Sequence, residues 1–264
     1  MTASFARKLV YTILAVLSAH SLVAQEAALA WKFTEGKTLK FKVTSNSMHE
    51  GGLFTGGRLE ERTQLYYSLA VGEVDREGTA TVTYRQDSIA YWTSEQMAPP
   101  SYLDELTGVP VTMWFSNRGI LLDAKFPADL SKEAANYLDG IVKDFGTEPP
   151  IPGVVSEVGA AWQSSLPVYF VYPFGTVQAD NTVKVIYARN ESYRGTNCAR
   201  VEYSGNLVSL GQKVGSVKGT MHHALREGKK LLNSSETEAL IYMEARGGRS
   251  QIRFRNTQTR EALN

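Results

Sequence analysis

Apolar and polar residues alternate with a period of two through most of this 264-residue chain, and that pattern constrains it to a β fold before anything else is considered. In residues 37–44, Leu39, Phe41 and Val43 fall on one side while Lys40, Lys42 and Thr44 fall on the other. Successive side chains of a strand point to opposite faces, so one face is core and the other meets water. The period continues through Leu65, Tyr67, Leu69 and Val71, and then through Ala80, Val82 and Tyr84, opposed by Thr79, Thr81 and Thr83. The intervening GEVDREG makes these two runs a hairpin.

One segment breaks the period. From Leu130 to Phe145, the residues Leu130, Ala134, Tyr137, Leu138, Ile141 and Phe145 recur at spacings of three, four and seven, which is the apolar stripe of an amphipathic helix. Ser131 or Asp129 is placed to cap its start, and Gly146 followed by Pro149 and Pro150 ends it. A shorter helix is expected over Ser101 to Leu106, behind Pro99 and Pro100. The proline- and glycine-rich TEPPIPGVVSEVG then reads as a connector.

The β segments on either side of that connector share an order of motifs. EGKTLKFKV, GTATVTY and WFSNRGILLD in the first half correspond to VGAAWQSSL, GTNCARVEY and HALREGKKLLN in the second, pairing Gly36, Gly78 and Gly119 with Gly159, Gly195 and Gly228. The spacing between partners drifts, as in an eroded internal duplication. The expected organisation is a leader over 1–30, a first β half over 31–126, the helix and connector over 127–150, and a second β half over 151–264. The fold class expected is mainly β with one or two helices: two related antiparallel halves packed as a sandwich or half-open barrel, with the amphipathic helix between them.

The start WKFTEGKTLKFKV, the central turn FSNRGILLD and the proline-rich connector leading into VGAAW resemble a family of exported bacterial β-rich proteins of unknown function. The resemblance implies a fold and a location, and it carries no catalytic residues. More loosely, sheets with a helical lid are similar in architecture to periplasmic lipoprotein carriers of the LolA and LppX type, in which a half-open barrel shelters acyl chains.

The N-terminus has the order of a secretory signal: the basic pair Arg7 and Lys8, the apolar run LVYTILAVL, then small and polar residues. Cleavage fits after Ala24 by position or after Ala30 by the small residues Ala28 and Ala30. The apolar run is too short to span a bilayer, which takes about 18 to 20 residues. The only cysteine, Cys198, is far from either site, so neither a lipid anchor nor an internal disulfide is expected. Removing Arg7 and Lys8 turns a formal charge of +1 into −1, with no bias toward nucleic acid and no stable membrane insertion. A periplasmic or extracellular location follows from these readings.

No signature of catalysis stands out. There is no HExxH or CxxC for a metal, no GxSxG elbow, and no SxxK or Walker sequence. His222 and His223, adjacent on a strand, point to opposite faces and do not share a metal. Glu60, Glu61, Asp104 and Glu105 are the carboxylates considered for acid–base chemistry. No catalytic, metal or cofactor-binding residue is assigned, and no cofactor is implied.

Two other resources remain. Trp92, Trp114, Phe115, Trp162, Tyr169 and Phe170 are the candidate ligand-lining aromatics, with core packing as their alternative role. In the C-terminal segment, Arg246, Arg249, Arg253, Arg255 and Arg260 fall close together, and Arg253 and Arg255 alternate with Ile252 and Phe254 as a candidate anion-binding strip. The functional expectation is an exported, non-enzymatic β protein that takes a hydrophobic or amphiphilic ligand. The alternative is a cell-envelope module that binds protein or glycan through the arginine strand, and an enzyme comes third.

Overall fold

In the computed structural model the described residues are 26–52, 54–95, 102–145, 149–172, 175–245 and 248–263. The expected leader core and the stop signal at Gly146 lie outside them. Thirteen strands and two helices follow one another as β1 (Glu26–Leu29), β2 (Thr38–Glu50), β3 (Arg58–Val74), β4 (Ala80–Thr93), α1 (Tyr102–Glu105), β5 (Pro110–Phe115), β6 (Leu121–Lys125), α2 (Lys132–Phe145), β7 (Val154–Glu157), β8 (Ala161–Tyr172), β9 (Gly175–Tyr193), β10 (Thr196–Ser209), β11 (Gln212–Ala224), β12 (Lys229–Ala245) and β13 (Gly248–Leu263).

The mainly β class is as the alternation requires. Eleven strands form one antiparallel sheet in the order β6-β5-β4-β3-β2-β13-β12-β11-β10-β9-β8, while β1 and β7 pair separately. Each half is a meander of neighbouring strands, and the halves are joined edge to edge by the first long strand pairing with the last, as in Thr44 opposite Thr259. The sheet stays open, with β6 and β8 at its ends. Of the two packings considered, it is thus the half-open barrel that this topology approaches; a sandwich would need two sheets face to face.

The sheet curls sharply, and two consecutive amides show it. Trp31 N donates to Asn117 O in the β5–β6 turn, and Lys32 N donates to Gly228 O in the β11–β12 turn, each at 2.7 Å. In the strand order these turns are six spacings apart, roughly 29 Å in a flat sheet. Adjacent amides are only ~3.5 Å apart, so the sheet bends until both turns flank the same strap. β1 continues that strap and pairs with β7, from Glu26 opposite Glu157 to Leu29 opposite Val154. Leu29 and Ile151 are buried against Val183, Val185 and Tyr187 of β9.

The first half buries the residues the alternation marks: Leu65, Tyr67, Leu69 and Val71 on β3, and Ala80, Val82 and Tyr84 on β4. Asp75 closes their hairpin, its Oδ1 accepting from Glu77 N and Thr79 N at 2.8 Å each. The α2 helix lies on this face with Ala134, Leu138, Val142 and Phe145 buried. Ser131 caps it through an Oγ that accepts from Ala134 N at 3.2 Å. The Glu105 carboxylate at the end of α1 receives the Ser131 N–H and O–H at 2.7 Å, tying the two helices together. All six glycines paired by the motif comparison have positive φ, between 57° and 95°; the turns correspond in conformation, which does not require common descent.

Candidate ligand site on the inner face

The strap and the end of α2 meet over the inner face of the first half. Trp31 stacks on Phe33 with centroids 5.4 Å apart, and Phe33 lies 6.1 Å from Phe115. Phe145, the last residue of α2, stands edge-on to Tyr67, Tyr84 and Phe115 at 5.5, 5.9 and 5.9 Å. Beneath these rings is a cavity of about 30 Å³ walled by Trp31, Phe33, Phe41, Tyr67, Leu69, Phe115, Gly119 and Phe145, with Lys230 and Arg260 completing it. A water needs some 10–15 Å³ on this measure, so the space takes a group of a few heavy atoms.

The two cations reach this wall by different routes. On β13, Arg253 and Arg255 point outward, whereas Arg260, an odd number of residues further on, points inward between Val43 of β2 and Asn233 of β12. Its guanidinium sits 4.7 Å over the Phe145 ring. Lys230 turns inward because a bulge shifts the β11–β12 register between His222 and His223, placing Lys230 opposite His223. Its ammonium is 5.8 Å from the Trp31 ring centroid. Both side chains are buried, at 7% and 8% exposure. Tyr84 is fully buried, and its hydroxyl has no hydrogen-bond partner among the described residues. Burial drives its acidity down, while the Arg260 charge acts in the opposite sense.

His223 fastens the strap beside this wall. Its Nε2 donates to Ala30 O at 3.0 Å and its ring meets Trp31 edge-on at 6.5 Å. Burial, with Lys230 and Lys32 adding positive charge nearby, pushes its pKa down to about 4. Gly119 permits the close approach on the other side: at φ 74° an added Cβ would stand 2.2 Å from Trp31 Nε1. Gly119→Ala is expected to cost about 1–3 kcal/mol through backbone strain and displacement of the indole, and to increase acrylamide quenching of tryptophan emission. Unchanged stability and quenching would separate Gly119 from the strap.

Of the aromatics marked in the sequence, Phe115 lines this cavity. Trp114 alternates onto the other face of β5 and is half-buried. Trp92 is 45% exposed with the Arg62 guanidinium 5.0 Å over its ring. Trp162 donates its indole N–H to Pro150 O at 2.9 Å, and Phe170 packs against Phe254 at 5.1 Å. The side chain of Tyr169 lies outside the described residues. The structure therefore distributes the five described ones over separate places. The rings that do converge, Trp31, Phe33, Phe41, Tyr67 and Phe145, stand on the strap, β2, β3 and α2. Phe41, Tyr67 and Phe145 carried the correct inward phase in the sequence, but convergence depended on the curl.

Arg253 and Arg255 each face a carboxylate, Glu50 at 3.7 Å and Glu238 at 3.4 Å. Arg255 lines a shallow groove of about 430 Å³, and a second of about 490 Å³ lies over β9 to β12; the walls of both are mostly polar or charged. Arg246 and the Arg249 side chain lie outside the described residues.

Of the acids considered for catalysis, Glu60, Glu61 and Glu105 are each held in a separate tie. Glu60 pairs with Arg58 at 2.5 Å, Glu105 serves the α2 cap, and Glu61 faces inward. There His49 Nε2 lies 3.0 Å from Glu61 Oε2, and the Tyr91 hydroxyl donates to Oε1 at 2.6 Å. Burial raises the Glu61 pKa, but the His49 and Tyr91 contacts outweigh it and hold the carboxyl below its usual range. His49 is itself wedged against Phe54 and Phe254, 5.6 and 5.1 Å away, which makes the arrangement a packed polar tie. His222 and His223 do diverge, yet both are buried, His222 under the Tyr193 ring at 4.7 Å and beside Glu191 at 2.5 Å. Among the described residues no group of three His, Cys, Asp or Glu is arranged to hold a metal, and no helix is long and apolar enough to cross a membrane.

No protein-family model matches the sequence, and no curated protein is significantly similar to it. Among solved structures, one of lipovitellin, described for its lipid–protein interactions, is similar at 12% identity and a TM-score of 0.55, covering 88% of this chain and 26% of that one. A hypothetical lipoprotein of Escherichia coli K12, YmcC, aligns at 9% identity and a TM-score of 0.28 over 80% of this chain and 85% of that one, too weak a superposition to carry an argument. The likeness to lipovitellin is one of fold, and this chain spans about a quarter of that protein's length.

Proposed function

We propose that this protein is an exported, non-enzymatic binder of a hydrophobic or amphiphilic molecule, held on the inner face of the curled sheet with α2 as its lid. The observation that carries the reading is the cavity walled by six aromatic rings beneath the end of α2. Apolar pockets with a few convergent polar groups are the usual form of a small-molecule site. The fold shared with lipovitellin, described for its lipid–protein interactions, supports the same reading. The cavity is small, so an aliphatic ligand enters by displacing Phe145 and lifting the α2 end.

Purified without detergent from cells that make it, the protein is expected to yield a bound amphiphile on solvent extraction and mass spectrometry. Finding none, together with no enhancement of N-phenylnaphthylamine fluorescence, would sink the reading. Phe145→Ala separates stability from binding: it should cost about 3–5 kcal/mol in chemical denaturation, while N-phenylnaphthylamine binds several-fold more tightly because the stopper is gone. Loss of stability without a gain in binding would show that Phe145 is packing alone.

A further inference from the structure

We infer that the head of the ligand is neutral and carries a hydroxyl, as in a long-chain alcohol or a monoacylglycerol, and that Tyr84 and Gln86 receive it behind Phe145. This rests on the binding function proposed above and specifies its ligand.

The first ground is a pair of buried polar groups on one strand. Tyr84 and Gln86 stand two residues apart on the inner face of β4, and both are fully buried. The Gln86 carboxamide is oriented by α1, because its Nε2 donates to Leu103 O at 3.4 Å. That orientation leaves Oε1 as an acceptor with no hydrogen bond among the described residues, and the Tyr84 hydroxyl is a donor in the same condition. A buried polar atom left unpaired costs about 1–3 kcal/mol. The group that satisfies both must accept from Tyr84 and donate to Gln86. A hydroxyl does both, whereas a carboxylate or an ether only accepts.

The second ground is position. The Tyr84 ring lies 5.9 Å from that of Phe145, which an entering chain displaces on the reading above, and 5.3 Å from that of Tyr67, which lines the cavity. Displacing Phe145 therefore uncovers Tyr84. Tyr67 is also the cross-strand partner of Gln86, so the same wall leads on to the carboxamide.

The third ground is the surroundings. Tyr102 of α1 and Tyr137 of α2 pack on this part of the sheet with ring centroids 5.4 Å apart. Burial holds the phenols of Tyr84 and Tyr137 in their protonated form, so they offer hydroxyls and no charge. Glu61, which acts on Tyr91 and Tyr102, is engaged by His49 and by Tyr91 itself. Arg260 also acts on Tyr84, and for that reason the test includes an anionic head.

Hexadecanol, hexadecyl methyl ether and palmitate are compared on the purified mature chain by displacement of N-phenylnaphthylamine. The ether has the same chain and accepts a hydrogen bond but donates none. Hexadecanol is expected to bind at least fivefold more tightly than the ether and more tightly than palmitate. Tyr84→Phe should weaken hexadecanol severalfold, leave the ether nearly unchanged, and keep or raise the melting temperature of the free protein, because the hydroxyl it removes is unpaired there. Gln86→Met should bring hexadecanol down to the level of the ether; if that variant fails to fold for want of the Leu103 contact, Tyr84→Phe carries the test. Equal binding of hexadecanol and the ether overturns the hydroxyl head but leaves the hydrophobic-ligand function standing. Tighter binding of palmitate than of hexadecanol makes the head an anion and also overturns it. An undiminished affinity for hexadecanol in Tyr84→Phe, with a lowered melting temperature, would give the hydroxyl to an internal water and overturn the assignment to Tyr84. Binding of none of the three overturns the binding function itself.

Discussion

A chain beginning at Trp31 is expected to melt at least roughly 10 °C below one beginning at Gln25. The two starts correspond to the two cleavage positions expected of a secretory leader, and the structure makes them unequal. Leu29 is fully buried among Ile151, Val183, Val185 and Tyr187, and its loss alone costs about 2–5 kcal/mol. Leu29 O also accepts from Gly153 N at 2.8 Å and Ala30 O from His223 Nε2 at 3.0 Å. Deleting both acceptors strands two donors, at about 1–3 kcal/mol each where they remain buried. For a chain of this size each kcal/mol moves the melting point by about 2–4 °C. On the export proposed above, intact mass of the mature protein should therefore show processing before β1. A Trp31-start chain as stable as the Gln25-start chain would mean that β1 contributes nothing to the fold.

Acidification should loosen the same strap from its other side. His223 has its folded-state pKa pushed down to about 4 from an ordinary 6.5. Between those values the unfolded chain binds the extra proton and the folded chain does not, so stability falls as pH falls. The contribution is fully present above pH 6.5 and is lost as the pH approaches 4, about 3 kcal/mol in all. Lys230 and Lys32 oppose protonation, and among the described residues no acidic group acts on His223. His223→Gln keeps an N–H for Ala30 O and carries no proton equilibrium, so its denaturation midpoint should be nearly flat across that window. Glu61 adds a separate loss at lower pH: its folded-state pKa is held below 4.5, so its stabilisation is present above that value and disappears as pH falls beneath it. A His223→Gln protein with the parent's slope between pH 6.5 and 4 would place the acid sensitivity elsewhere.

Much of the architecture could be read along the chain. The inward residues of β3 and β4 matched the alternation, and α2 ran over the anticipated stripe from its Ser131 cap. Val142 joined its buried face, while Tyr137 and Ile141 were left at the margin. These features are legible because burial imposes a period on neighbouring residues, and that period is local. The candidate site was less legible. Phe115 was marked and lines the cavity, but Trp31 and Phe33 reach it only through the strap. Arg260 was noted for its charge, and its phase relative to Arg253 was the signal that it faces the other way. Lys230 carried no such signal, because the bulge beside it shifts the register without a residue type that announces it.

From the sequence alone came the strand and helix periods, the turns at the left-handed glycines, and hence a mainly β chain with one amphipathic helix. The tertiary structure alone decided that β2 pairs with β13 in one sheet, that the sheet curls until two distant turns grip Trp31 and Lys32, and that Arg260 and Lys230 meet beneath Phe145. The reason is physical. Side-chain burial leaves its mark every second or every third to fourth residue, whereas backbone hydrogen bonds between strand edges are alike for almost any sequence. Which edges meet, and what they enclose, is settled only by the packing of the whole.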